Sequence, residues 1–143
     1  KAPQIEWYRD ESARAAAENG APVPGVAFFH IPLPEYWKVY KTKETVGTQI
    51  EDPCSPELNS GLFTAFIERG DVEGVFVGHD HNDDFIGVYK GIALSYGRKT
   101  GVEVYGDLPK GGRVIDFTAD SAGFVTYTYS KEKGKVDEYA FKK

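Results

Sequence analysis

The sequence predicts a mixed α/β fold with α+β character in its second half, where the chain turns into an antiparallel meander; residues 1–143 read as one domain. Three observations lead there. A helix-like stretch followed by a short apolar run ending in histidine occurs twice, up to His30 and again up to His79 and His81. After Phe85 the chain breaks into short alternating segments with glycine at their turns. The length suits a single domain, and apolar and charged fractions of 41% and 27% are those of an ordinary globular chain.

The elements follow in order. "QIEWYRDESARAAAENG" is rich in Ala, Glu and Arg, pairs Asp10 with Arg14 at i,i+4, and meets Gly20 as its stop, so it reads as a helix. Val26 to Phe29 is short, apolar and aromatic, bounded by Pro24 and Gly25 before it and by Pro32 and Pro34 after it. That is the pattern of a buried strand with His30 at its C-terminal tip. Lys41 to Pro56 is polar and reads as an excursion or loop. Gly61 to Arg69 gives a second helix, with Asn59 or Ser60 as N-cap and Gly70 as stop. "GVFVGHDH" is a second apolar strand ending in His79 and His81. The later segments "FIGVYKGIALSYG", "GGRVIDFTAD", "GFVTYTYS" and "DEYAFKK" are expected to turn at Lys90-Gly91, Gly111-Gly112 and Ser121–Gly123. Thr126, Thr128 and Ser130 alternate with Val125, Tyr127 and Tyr129, which predicts a sheet with one wet face.

Composition narrows the function classes. A net charge of −5 and a pI near 5.2 argue against nucleic acid as a partner. No apolar run approaches the length of a membrane span, and no signal-peptide pattern is visible. The chain starts at Lys1 and has no Met, so a processed chain, an excised piece or a proteolytic fragment is expected. Cys54 has no second cysteine to pair with and reads as a small, partly buried apolar residue.

In sheets built this way ligands gather at the carboxyl ends of the strands, which brings the three histidines together. In an extended strand His79 and His81 point the same way and converge on one small volume; in a turning segment they straddle two adjacent ions. Imidazole suits Zn, Fe and Mn centres, with neighbouring Asp or Asn groups orienting the ligands. A metal site is therefore the favoured reading of His79-x-His81 with His30. The residues around it have blander readings: Asp80, Asp83 and Asp84 as a solvated turn, Tyr36, Tyr89 and Tyr96 as packing residues, Arg98 and Lys99 as surface charges.

"FFHIPLPEY", "NSGLF", "GDVEGVFVGHDHNDDF" and "SYGRKTG", in this order and spacing, resemble the C-terminal half of a calcineurin-like metallophosphoesterase. More narrowly they are similar to its purple-acid-phosphatase-related branch, from the first helix to about Phe117. The resemblance implies the C-terminal half of a four-layer αββα sandwich. It also implies a dinuclear centre of two divalent or mixed-valence ions (Zn, Mn or Fe) that hydrolyses phosphate mono- or diesters. His30 and His79 would hold the second ion and His81 the first, and no catalytic residue is assigned in this chain. Family habit implies a periplasmic or secreted protein.

Departures qualify that reading. The family's Asp-x-His, bridging Asp and Asn-His motifs are absent, there is no fourth histidine to protonate a leaving group, and Asp71 and Asp107 read as turn residues. The chain is thus expected to lack its N-terminal half, to have partial or no metal occupancy, and to be inactive alone. A bare sheet face would then favour a dimer or domain swap. Two other readings stand: a non-catalytic binding or interaction module on the same scaffold, and a mononuclear domain using His30, His79, His81 and a carboxylate such as Asp83. Substrate contacts would lie in Lys41 to Pro56 and "SYGRKTGVEVYG", where Arg98 is either a phosphate contact or a surface charge.

Overall fold

The computed structural model describes residues 1–118 and 122–142. In chain order it contains α1 (Ala2–Asn19), β1 (Gly25–Phe28), a 3-10 helix (Pro34–Lys38), α2 (Leu62–Arg69) and β2 (Val72–Val77). The β3 (Ile86–Tyr89) and β4 (Ile92–Tyr96) strands follow, then β5 (Gly111–Asp116), β6 (Phe124–Ser130) and β7 (Gly134–Phe141). Two helices and two sheets give the mixed α/β fold expected from the sequence, compatible with a C-terminal part of a metallophosphoesterase.

The first sheet has the order β1-β2-β4-β3, with β1, β2 and β4 parallel and β3 antiparallel to β4. Its central strands β2 and β4 are buried along their whole length, which explains their near-continuous apolar runs. Val75, Val77, Leu94 and Tyr96 face a layer made by Phe63 and Phe66 of α2 with Leu33, Tyr36 and Val39 around the 3-10 helix. Phe76, Ile86 and Ala93 instead meet Phe124 and Phe141 of the second sheet. Gly74 leaves room for the second sheet, since a Cβ there would stand 3.0 Å from the Phe124 ring. The α1 helix packs on α2 through an edge-to-face contact of Tyr8 with Phe66, centroids 5.0 Å apart, while Tyr8 donates its hydroxyl proton to Asp71.

Several local expectations are corrected. Arg14 pairs with Glu11 and Glu18 rather than Asp10, because those two carboxylates reach its guanidinium from both sides. Gly61 in the left-handed region caps α2, and Asn59 instead accepts the Gly61 N–H at 2.9 Å. The β1 strand is half-buried rather than buried, with Phe28 64% exposed. The meander is divided: β3 and β4 extend the first sheet, and only β5-β6-β7 form a separate antiparallel sheet. Gly111 and Gly112 begin β5 instead of making a turn. Ser121, at the start of the third expected turn, lies outside the described residues.

The alternation in β6 leaves open which of its faces is wet, and the structure decides it. Thr126, Thr128 and Ser130 are the buried side chains and Tyr129 is the exposed one. Their hydroxyls find partners indoors: Thr126 Oγ1 donates to the Val114 carbonyl at 2.6 Å, Thr128 Oγ1 to that of Val136 at 3.4 Å, and Ser130 Oγ accepts the Lys133 N–H at 3.1 Å. Hydroxyls satisfied by the neighbouring backbone can be buried at little cost.

The inner face expected to be bare is covered by β5–β7 around β2 and β4. What remains open is the β1 edge, where Trp7, Phe28 and Ile31 are exposed beside a cleft of about 830 Å³ between α1 and β1. Among the described residues no helix is long and apolar enough to cross a membrane.

Arg113 of β5 ties the sheets together. It donates to the Tyr96 carbonyl at 2.6 Å, to Thr126 Oγ1 at 3.3 Å and to the Asp84 carbonyl, and burial lowers its guanidinium to about 10. Arg113→Ala strands those acceptors and is expected to cost about 2–4 kcal/mol in urea denaturation. Arg113→Lys should recover only part, since one ammonium cannot span the three acceptors.

Candidate metal centre

The parallel strands β1, β2 and β4 all end on the same side of the first sheet, and each hands the chain to a segment bearing a polar group of interest. His30 follows β1, His79 to His81 follow β2, and Arg98 and Lys99 follow β4. A cleft of about 220 Å³ is lined by all of these, with Asp80 on its wall. All three histidines singled out in the sequence therefore meet in one place.

They do not meet as an extended pair. The β2 strand stops at Val77, and His79 lies in the left-handed region at φ 80°, a conformation that costs a non-glycine residue of order 1–3 kcal/mol. The turn sends the two imidazoles in different directions. His79 Nδ1 comes 3.4 Å from His30 Nε2, with the rings edge-on at 82°. His81 instead stacks on Tyr105, centroids 4.1 Å apart, and its Nδ1 lies 3.1 Å from the Tyr105 carbonyl oxygen. A carbonyl only accepts, so Nδ1 carries a proton, and in the neutral ring the lone pair then sits on Nε2.

Both arrangements fit metal ligation. Two imidazole nitrogens on one tetrahedral ion stand about 3.3 Å apart for bonds of 2.0–2.1 Å, close to the His30–His79 separation. A ligating histidine commonly donates its other ring N–H to a backbone carbonyl, as His81 does.

The carboxylates between and after the histidines are not solvated. Asp80, Asp83 and Asp84 are buried, and each captures backbone N–H groups of the segment from Thr48 to Cys54. Asp80 Oδ2 accepts the Cys54 N–H at 3.0 Å and the Tyr96 hydroxyl at 2.6 Å. Asp83 Oδ1 accepts Ile50 N–H at 2.8 Å and Glu51 N–H at 3.0 Å, and Asp84 Oδ1 accepts Thr48 N–H at 2.7 Å. The excursion from Lys41 to Pro56 is thus anchored. Val46 pairs with Ile86 and Gln49 with Asp83 in bridges, and Gly47, at φ 106°, runs so close that a Cβ would stand 2.8 Å from the Phe85 Cα.

Arg98 and Lys99 are corrected in the same sense. Arg98 is buried and forms an ion pair with Asp84 through Nη2, while Nη1 donates to the Pro109 carbonyl at 3.1 Å. Lys99 donates to the carbonyls of Tyr105 and Gly106. Both Nη atoms of Arg98 are committed to protein acceptors, so it is not poised for a bidentate grip on phosphate. Asp83 faces the Thr48–Cys54 segment and is not among the cleft-lining residues, which removes it from the mononuclear ligand set. Asp71 and Asp107 are likewise not among the cleft-lining residues.

Burial pushes the Asp83 carboxyl up to about 6, against the pull of the Ile50 and Glu51 N–H groups. Burial, reinforced by the bond to Asp80, holds the Tyr96 hydroxyl well above its usual range and keeps it a donor.

Sequence reasoning missed Tyr105, Glu51 and Cys54. The Tyr105 ring covers His81, and its hydroxyl lies 3.3 Å from Glu51 Oε2. Glu51 also accepts the Asn82 N–H at 3.0 Å. Cys54 is exposed rather than partly buried, and its sulfur lies within 4.8 Å of ligand atoms of His79 and Asp80. A loop with no periodicity gives no signal for any of the three. The aspartates did leave one: a turn between the buried β2 and the buried Phe85–Ile86 has little room for three solvated carboxylates.

Known proteins resemble the chain, two over about three quarters of its length and another over a shorter stretch. A protein of Arabidopsis thaliana named probable inactive purple acid phosphatase 14 is 40% identical over 109 residues, covering 76% of this chain and 27% of the relative. Probable inactive purple acid phosphatase 29 of the same plant is 43% identical over 113 residues, covering 74% and 29%. Phosphatase DCR2 of Saccharomyces cerevisiae is 36% identical over 66 residues, covering 42% of this chain and 11% of the relative. The chain spans under a third of the length of these relatives. No protein-family model and no solved structure matches it. The chain is a relative of the purple-acid-phosphatase-like metallophosphoesterases, as its histidine blocks imply.

Arg98→Ala would leave the Asp84 carboxylate buried without its cation, an expected loss of about 3–5 kcal/mol by chemical denaturation. The Thr48 amide, bonded to that carboxylate, should then exchange with deuterium markedly faster than in the unmodified protein. Unchanged protection at Thr48 would mean that the pair does not hold the loop.

Proposed function

We propose that this chain carries the histidine ligands of a metal-dependent phosphohydrolase that cleaves phosphate mono- or diesters at a dinuclear centre, and that it is inactive alone. The observation that supports this best is the facing of His30 Nε2 and His79 Nδ1 at 3.4 Å, in the cleft that His81 also lines. His30 and His79 would hold one ion and His81 the other, with Zn, Mn or Fe all suited to imidazole. Two such ions, when bound, supply Lewis acidity to the phosphoryl group and an acidic water as nucleophile near neutral pH.

The chain's own residues orient and do not transfer protons. The Tyr105 carbonyl fixes the His81 tautomer, and the left-handed turn at His79 aims that ring at His30. Asp83 and Asp84 spend their oxygens on the Thr48–Glu51 backbone, and Asp84 also on Arg98, so neither is placed to bridge two ions. The bridging carboxylate and the proton donor to the leaving group would come from chain outside this one. A periplasmic or secreted location goes with this reading.

A second reading is a binding or interaction module on the same scaffold. It is favoured by the words "probable inactive" in the names of the Arabidopsis relatives. The test is hydrolysis of p-nitrophenyl phosphate and its bis ester by the whole protein containing this segment, with metal analysis, beside His79→Ala and His81→Ala. Metal-dependent turnover that falls by about 100-fold or more in both variants is the expected result. A whole protein that binds no metal and turns over neither ester would hand the chain to the second reading.

The open β1 edge gives a further expectation for the isolated segment. We propose that it self-associates there, burying Trp7, Phe28 and Ile31, by dimerisation or a domain swap. Sedimentation should show a concentration-dependent dimer that Phe28→Lys weakens; a monomer at every concentration would contradict it.

A further inference from the structure

Cys54 has no place in the ligand set discussed above, yet it stands beside it. Its sulfur, a nitrogen of His79 and a carboxylate oxygen of Asp80 all lie within 4.8 Å of one another. No other group of three such side chains is found among the described residues.

The surroundings hold this trio in position. The Cys54 N–H donates to Asp80 Oδ2 at 3.0 Å, so the backbone that carries the thiol is anchored to one of its neighbours. Tyr96 donates to the same oxygen at 2.6 Å, and both bonds to the carboxylate therefore fall on Oδ2, leaving Oδ1 for an ion. His79 is fixed from its own side by the left-handed turn after β2. Donors on one tetrahedral ion stand about 3.3–3.8 Å apart for bonds of 2.0–2.3 Å, so the trio needs to close by about 1 Å. Cys54 is exposed and turns about a single side-chain torsion, which lets its sulfur move toward the other two donors.

We propose that Cys54, His79 and Asp80 form a site for one borderline-soft divalent cation of the zinc class, with thiolate, imidazole and carboxylate as its three protein donors. A thiolate selects such ions over hard ones such as Mg²⁺ or Ca²⁺. Three protein donors, with Cys54 exposed to solvent, leave a fourth position for water or a ligand atom. Binding releases the thiol proton to solvent, since the thiolate is the ligating form. This site shares His79 with the proposed dinuclear centre but needs neither His30 nor His81. An ion held by Cys54 and Asp80 competes for the imidazole that His30 faces.

The test uses Co²⁺ as a spectroscopic stand-in, added to the purified, reduced protein. The expected result is a thiolate-to-cobalt charge-transfer band that saturates at one equivalent and is displaced by Zn²⁺. Cys54→Ser should abolish the band and weaken Zn²⁺ binding by at least about tenfold, with an unchanged far-ultraviolet circular dichroism spectrum showing that the variant is folded. His30→Ala and His81→Ala should both keep the band, although each removes a ligand of the proposed phosphohydrolase centre. Absence of the band, its survival in Cys54→Ser, or its loss in either histidine variant would overturn the assignment. Failure of the whole protein to hydrolyse phosphate esters would leave it standing.

Discussion

The arrangement depends on one constraint: three carboxylates buried within five residues must all be satisfied. Asp80, Asp83 and Asp84 follow directly on a strand that is buried throughout, where an unsolvated carboxylate is tolerable only with donors aimed at it. The segment from Thr48 to Cys54 supplies four backbone N–H groups, Tyr96 a hydroxyl and Arg98 a guanidinium. Asp83 Oδ2 stays buried without a donor, and burial accordingly pushes that carboxyl upward. The histidine turn and the polar excursion are in effect one unit, joined by hydrogen bonds rather than by chain continuity.

That unit explains the division of labour at the cleft. The β2 strand delivers the chain, the left-handed residue His79 redirects it, and the aspartates fasten it before it re-enters the sheet as β3. The histidines stay out of the hydrophobic core: His30 is exposed, His79 and His81 are partly so, and each turns a ring nitrogen to another histidine or to the tyrosine stacked on it. A backbone strained at one residue is stable here because the bonds on either side over-determine it.

Much of the framework was legible in the sequence because it rests on local rules. The helices end at Gly20 and Gly70, both in the left-handed region. The apolar runs before His30 and His79 became parallel neighbours, and Lys90-Gly91 turned β3 into β4. What was not legible depended on partners distant in the chain. Nothing near Asp84 announces Arg98, and nothing near Asp80 announces Cys54 or Tyr96. The alternation of β6 announced two unlike faces without saying which is wet, because period-two patterning says only which side chains share a face. There the tyrosines and valine went outward and the hydroxyls inward, where carbonyls were waiting.

Those inward hydroxyls give the second sheet an unusual kind of memory. Thr126 and Thr128 are held by single carbonyls, those of Val114 and Val136, one on each flanking strand. An oily inner face of similar volume could slide by two residues and still bury the same groups. A hydroxyl that must find its own carbonyl cannot, so the small polar side chains of β6 act as keys to strand alignment on both sides, while Phe124 and Phe141 supply the adhesion.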